Sequence, residues 1–189
     1  MNTMLIRGAK MGNVDTRIQF TKSRLYAAMT ELLGKKAIGF ITIKELCETA
    51  GLNRGTFYLH YSAPMDVLRE MQEELSGDGM LDFSGGEEQL AEKLRIIIRR
   101  RGDYAAVMGR NGDPEFLRGV KNRSFITMLP ELKMRCRDKS EKELAIAFDY
   151  VFAGCTGAIT EWLHAEKPIE PEKMAQMLKK FSEKIYDSI

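Results

Sequence analysis

"LCETAGLNRGTFYLHY", residues 46–61, ends one helix and opens another within three positions. Gly51 can take the left-handed conformation that closes a helix, and Asn53 can cap the next one, "RGTFYLHY". Upstream, "TIKE" sets Thr42 three residues before Glu45, a reciprocal capping box, with Ile41 placed to staple onto Leu46. Earlier still, Ile18, Leu25, Ala28, Met29, Leu32 and Leu33 recur at helical spacing between Thr16 and Leu33. Asp15 or Thr16 is the expected N-cap of that helix and Gly34 its stop. "KKAIGF" reads as a short loop. Three helices, the last two joined by a tight glycine turn, make a helix-turn-helix unit.

The pattern also sorts the side chains of this unit. Ile43, Leu46, Cys47, Ala50, Leu52 and Phe57 are expected to face inward, against Leu25, Met29 and Leu32. Adjacent residues on a helix cannot share one face, so with Phe57 inside, Tyr58 points out. The outward set of the last helix is then Arg54, Gly55, Thr56, Tyr58 and His60. That surface is compact, rich in hydrogen-bonding groups and carries one full charge. Such a helix can enter a major groove, its N-terminal end meeting base edges while hydroxyls and phenols hold phosphates. The charge distribution agrees. Residues 1–62 hold nine Lys/Arg against four Asp/Glu, a net +5, whereas the remainder holds 20 against 23. A basic end on a near-neutral body fits a polyanionic partner.

Beyond the unit, Pro64 opens a helix "MDVLREMQEEL", and "SGDGMLDFSGGEE" reads as an inter-domain linker or mobile loop. "EEQLAEKLRIIIRRR" is an amphipathic helix with acids first and bases last, as the helix dipole favours, so Arg99–Arg101 is read as a solvated helix end before a second nucleic-acid patch. "GRNGDPEF" is a turn that launches a helix at Pro114. "KSEKELAIAFDYVFAGCTGAITEWLHAEK" and "PEKMAQMLKKFSEKIYDSI" complete the chain as helices. With no alternating strand pattern and no internal repeat, the fold class is all-α.

Several functions are excluded on composition. Apolar residues make up 44% and charged residues 30% of the 189, a globular balance. Unbroken apolar runs are too short to span a bilayer, and "MNTMLIRGAKMGNVD" lacks a secretion signal, so no membrane partner and a cytoplasmic location are expected. Cys47, Cys136 and Cys155 are odd in number and lack ligand spacing, which argues against zinc or disulfides; Cys47 and Cys155 read as core. His164 with Glu161 is read as a surface pair near a helix end, not a metal site. No nucleophile, general base or cofactor motif is evident, so no enzyme and no cofactor are expected.

The ordered set of capping box, Ala50-Gly51, apolar Leu52 and a short helix with Thr56, Phe57, Tyr58, His60 and Tyr61 resembles the DNA-binding domain of the TetR family of bacterial transcriptional regulators. The likeness covers residues 16–62, including "TRIQFTKSRLYAAMTELL" and the later "MDVL". It implies that Thr42 caps toward a phosphate, that Arg54, Gly55 and Tyr58 meet bases, and that Thr56, His60 and Tyr61 grip or brace against the DNA backbone. Lys22 and Arg17 reach flanking phosphates in this reading, and Lys44 and Asn53 complete the contact set. One departure is visible: where the family commonly has a lysine shortly after the histidine, this chain has Ser62, Ala63 and Pro64.

"DYAAVMGRNGDPEFL" and "FAGCTGAITEWL" are similar to stretches of TetR-type C-terminal domains. Leu144, Phe148, Val151, Phe152, Cys155, Ile159 and Trp162 form one stripe, while Gly154, Gly157 and Ala158 would admit another helix closely. Met174, Met177, Leu178, Phe181 and Ile185 line the last helix. Two such helices per chain could form a four-helix dimer bundle or bury their faces within one chain; the resemblance implies the bundle, a homodimer through about residues 141–187. The family also implies a small-molecule inducer cavity. Met80, Met108, Met128 and Met134 lie in that region, although Met more often fills core space; Met108, Met128, Phe152 and Trp162 are the ligand candidates. The expected organisation is a helix-turn-helix DNA-binding domain at 14–62, a connecting helix at 63–76 and a larger ligand-binding and dimerisation domain at 77–189. The expected function is a ligand-responsive repressor binding a palindromic operator in double-stranded DNA. The alternative is a helical interaction or ligand-carrier module that keeps the helix-turn-helix only as a scaffold.

Overall fold

The computed structural model describes residues 6–77 and 85–189, with side chains from Thr16 onward. Met80 and most of the glycine-rich linker stretch lie outside the described residues. The chain divides into two units, Met1–Met71 and Gln72–Ile189.

In the first unit, helix α1 runs Ile6–Leu33, α2 Ile43–Ala50 and α3 Arg54–Tyr58, and α4, Pro64–Ser76, starts here and crosses into the second unit. The expected start of α1 at Asp15 or Thr16 is corrected: both lie inside a helix that begins at Ile6. "KKAIGF" holds a single 3-10 turn, Ile38–Phe40. Leu25, Met29, Leu46 and Phe57 are fully buried, with Cys47 and Ala50 close behind, as the inward pattern required. Ile43 and Leu52 stay half-buried at the edge of this core.

In the second unit, α5 spans Glu87–Arg99, α6 Arg101–Met108, α7 Pro114–Arg135, α8 Glu141–His164 and α9 Pro171–Asp187. There is no strand among the described residues. α5 packs chiefly on α9, and α8 packs on α6, α7 and α9. Leu132, Leu144, Ala147, Phe148 and Tyr186 form a core cluster shared by α7, α8 and α9. Tyr104 of α6 donates its buried hydroxyl to the carbonyl of Leu75, 2.9 Å away, at the end of α4.

Of the run at 99–101, Arg99 is exposed as expected, while Arg100 and Arg101 are used by the fold. Arg100, at φ −107° and ψ 34°, breaks α5 from α6, and its guanidinium bridges Glu74 and Asp103. Arg101 forks onto the carbonyls of Leu163 and Ala165, the orphan acceptors at the end of α8. Pro130 sits inside α7 without ending it, so the helix lacks the N–H that would have met the carbonyl of Ile126.

α8 corrects one expectation. By length and composition it is apolar enough to cross a membrane, which the short unbroken runs did not suggest. Here it packs against three neighbouring helices, and Ser140 and Glu143 form a capping box at its start.

Candidate nucleic-acid interface

The corner between α2 and α3 is built from local bonds. The Thr42 hydroxyl accepts from the Glu45 amide at 3.2 Å, and the Glu45 carboxylate accepts from the Thr42 amide at 3.1 Å, closing the capping box. Lys36 reaches the same carboxylate at 2.5 Å. The Lys36 ammonium first, then the two Thr42 bonds, hold the Glu45 carboxyl down at about 2, well below its usual 4.5. Gly51 adopts φ 63° and ψ 38°, and its amide returns to the carbonyls of Cys47 and Glu48. The Asn53 side chain accepts from the Thr56 amide at 2.7 Å, opening α3. Each of these four roles was legible as a motif.

α3 then presents its faces as the spacing required. Phe57 is fully buried, while Tyr58, edge-on to it with ring centres 5.7 Å apart, is 61% exposed. Arg54, Gly55 and His60 are exposed and Thr56 half-exposed, so these five share the rim of one short helix and the turn after it. Arg17 and Lys44 are exposed, Lys44 lying 3.9 Å from Glu48. Thr42 and Asn53 are exposed as well, their side-chain oxygens already engaged in capping.

Two residues of the expected contact set are placed differently. Tyr61 is 7% exposed and donates its hydroxyl to the Glu70 carboxylate, so it braces the end of this corner from inside. Burial, then the neighbouring Glu70, drive its phenol far above the usual range. Lys22 pairs with the other oxygen of the same Glu70. Burial pushes the Glu70 carboxyl up, but Lys22 and Tyr61 outweigh it and hold it below its ordinary value.

Three contributors went unnoticed in the sequence. Arg24 donates through Nε to the Ala50 carbonyl at 2.5 Å, fastening α1 to the end of α2. Asp66 accepts from the amides of Ser62 and Ala63 at 2.9 and 2.8 Å, capping α4. Glu70 ties α4 to both α1 and the end of the recognition corner. Only Asp66, two positions after a proline that begins a helix, left a readable trace. Arg24 and Glu70 depend on contacts across 26 and 48 residues, which no local pattern encodes.

In the second unit, a cavity of about 60 Å³ lies among α5, α7, α8 and α9, with Met128, Phe148, Phe152 and Tyr186 in its wall. Of the ligand candidates, Met128 and Phe152 reach it; Met108 and Trp162 are buried elsewhere, Trp162 donating Nε1 to the Ile169 carbonyl at 2.8 Å. Tyr186 is buried, its hydroxyl has no partner, and burial pushes its pKa up to about 12. Met134 is exposed. A separate groove of about 430 Å³ runs between α8 and α9, edged by Tyr150, Gly154, Ala158, Met177 and Phe181. His164 points Nδ1 at the Thr160 carbonyl, 2.8 Å away, and no cluster of metal-ligating side chains occurs among the described residues.

A helix-turn-helix head followed by a separate all-helical body defines a class, the helical DNA-binding transcriptional regulators. Residues 87–184, just over half the chain, match the family described as the transcriptional regulator C-terminal region, of TetR type. The chain belongs to the TetR family of transcriptional regulators. Its fold is similar to the crystal structure of a TetR transcriptional regulator from Streptococcus agalactiae 2603V, with 23% identity, a TM-score of 0.62, and 91% of this chain and 98% of that one covered. It is also similar to the fatty acid degradation regulator FadR from Bacillus halodurans, at 15% identity and TM-score 0.54 over 86% of this chain and 94% of that one. A TetR-family regulator from Streptomyces coelicolor follows at 13% identity and TM-score 0.56, over 89% and 82%. No curated protein is similar enough to count as a match.

Proposed function

We propose that this regulator is a cytoplasmic, non-enzymatic repressor that binds a palindromic operator as a homodimer and releases it when a small molecule occupies the helical body. In this reading, residues 14–62 bind DNA, 63–76 connect, and 77–189 dimerise and sense. The observation that carries the reading is the split of neighbouring aromatics on α3: Phe57 fixes the helix in the core while Tyr58, Arg54 and Gly55 stay free at its rim. Arg54, Gly55 and Tyr58 meet base edges, and Thr56, His60, Thr42, Asn53, Lys44, Lys22 and Arg17 serve the phosphates. Tyr61 acts from behind, as a brace.

The open groove along α8 and α9 supports dimerisation, since monomeric proteins seldom leave large apolar patches bare. Two heads a helical turn, or a small multiple of it, apart would then read two half-sites. Ligand binding in the body changes the spacing of the heads, and the operator is lost in proportion to the ligand's preference for the released state. A mobility shift at fixed salt, comparing the promoter beside the protein's own gene with a scrambled duplex, tests the reading. Tighter binding to the promoter is expected; equal binding to both would falsify sequence-specific regulation.

A further inference from the structure

Lys22 holds a position that the DNA reading needs, yet its ammonium is already taken. It pairs with the Glu70 carboxylate, and both side chains remain about a third exposed, at 29% and 35%. A phosphate approaching the rim can therefore reach the same lysine. The carboxylate cannot follow the lysine outward, because its second oxygen is held by the buried Tyr61 hydroxyl.

We infer that Glu70 is a built-in counter-charge that competes with DNA phosphate for Lys22 and so sets the affinity of the head for DNA. The inference rests on the reading of the first unit as a DNA-binding head. Among the described residues, Arg17 on the same helix and Arg69 beside Glu70 remain exposed, while other cations near this edge are engaged or missing. Positions 62–64 supply none, Arg24 is spent on the Ala50 carbonyl, and Lys36 on Glu45. A surface ion pair and a phosphate contact are of comparable strength, so a fixed carboxylate beside the lysine shifts the balance without abolishing contact. Glu70 stands on α4, which continues past Met71 into the second unit, so a shift of that helix moves the competitor. Glu70 is a positioning residue in this scheme; it acts through Lys22 and touches no base.

The test uses the full chain, the operator and a scrambled duplex of equal length, with affinity measured across a salt series. Glu70→Gln keeps the shape and an acceptor for Tyr61 but removes the charge. It is expected to bind both duplexes several-fold more tightly at low salt, with the salt slope steeper by about 0.9, the value of one extra phosphate neutralised. Glu70→Met, a second uncharged variant of similar length, gives the same slope if the amide variant folds poorly. In a Lys22→Ala background, Glu70→Gln changes nothing. A parent-like slope for both neutral variants overturns the inference while operator preference, and with it the function proposed above, still stands. Tightening that survives in the Lys22→Ala background overturns it too, since general repulsion by Glu70 would then be the cause. Loss of operator preference in the parent protein overturns both readings.

Discussion

Arg54 stands at the exposed first position of α3, and in the proposed reading its guanidinium meets a guanine edge. Arg54→Ala is expected to cost about 1–3 kcal/mol in operator binding and to relax specificity at one base pair, read by competition among single-base operator variants. Uniform loss over all sequences would instead assign Arg54 to the phosphates. Gly51 controls the angle from which Arg54 projects. Its φ of 63° is strained for any residue with a Cβ, and an added methyl would also meet the Arg24 guanidinium at 2.5 Å. Gly51→Ala should therefore lower stability by about 1–2 kcal/mol in denaturant melts and weaken operator binding. An unchanged midpoint would show that the left-handed turn is not required. At this scale the sequence was readable wherever one residue acts on its near neighbours, as Thr42, Gly51 and Asn53 do. Tyr61 entered the contact set through the family resemblance, and its burial and its bond to Glu70, on another helix, leave no local trace.

The second helix of the head is held by an interaction that acid removes. The Glu45 carboxyl titrates near 2 when folded and near 4.5 when free, so its contribution is complete above about 4.5 and vanishes as pH falls through about 2. Protection of the amides at the start of α2, relative to their intrinsic exchange rate, should fall as pH drops across that window in the parent protein. In Glu45→Gln the acid dependence at those amides should flatten; an unchanged profile would assign the effect to other carboxylates. Among elements, helix existence was easier to read than helix ends. α2, α3, α7 and α8 each begin at a polar side chain that accepts a backbone amide, and such caps are visible as short patterns. α1 has no acidic residue in its first turn, so nothing local marks Ile6, and Asp15 drew the boundary inward. The break at Arg100 was hidden for a similar reason: three consecutive arginines look like one helix end, although the chain resumes at once as α6.

At the scale of the molecule, the bare side of α8 and α9 asks for company. A Cβ at Gly154 or Gly157 would meet nothing within 4 Å, and Tyr150 and Phe181 are 68% and 55% exposed beside them. Gly154→Leu is thus expected to fit a single chain without clash yet block close approach by another helix. Sedimentation equilibrium should find the parent as a pair of chains and this variant as single ones. A paired variant with unchanged association would move the interface elsewhere. The four-helix reading drew on two apolar helices with small residues between large ones, and on the family resemblance that implies the arrangement. Which residues wall the small cavity was far less legible. Met128 and Phe152 reach it, whereas Met108 lies on α6, which does not line it, and Trp162 turns to the Ile169 carbonyl.

Pro130 leaves α7 one backbone bond short just before Leu132 and Arg135, both of which wall the small cavity. A helix bends most easily where a rung is missing, so this wall is the expected place for the chamber to widen for a guest larger than its resting 60 Å³. Restoring the rung with Pro130→Ala should raise the melting temperature, slow amide exchange around Ile126 and make the chamber more selective for slim guests. The missing rung thus falls beside the small cavity, at the wall that Leu132 and Arg135 supply.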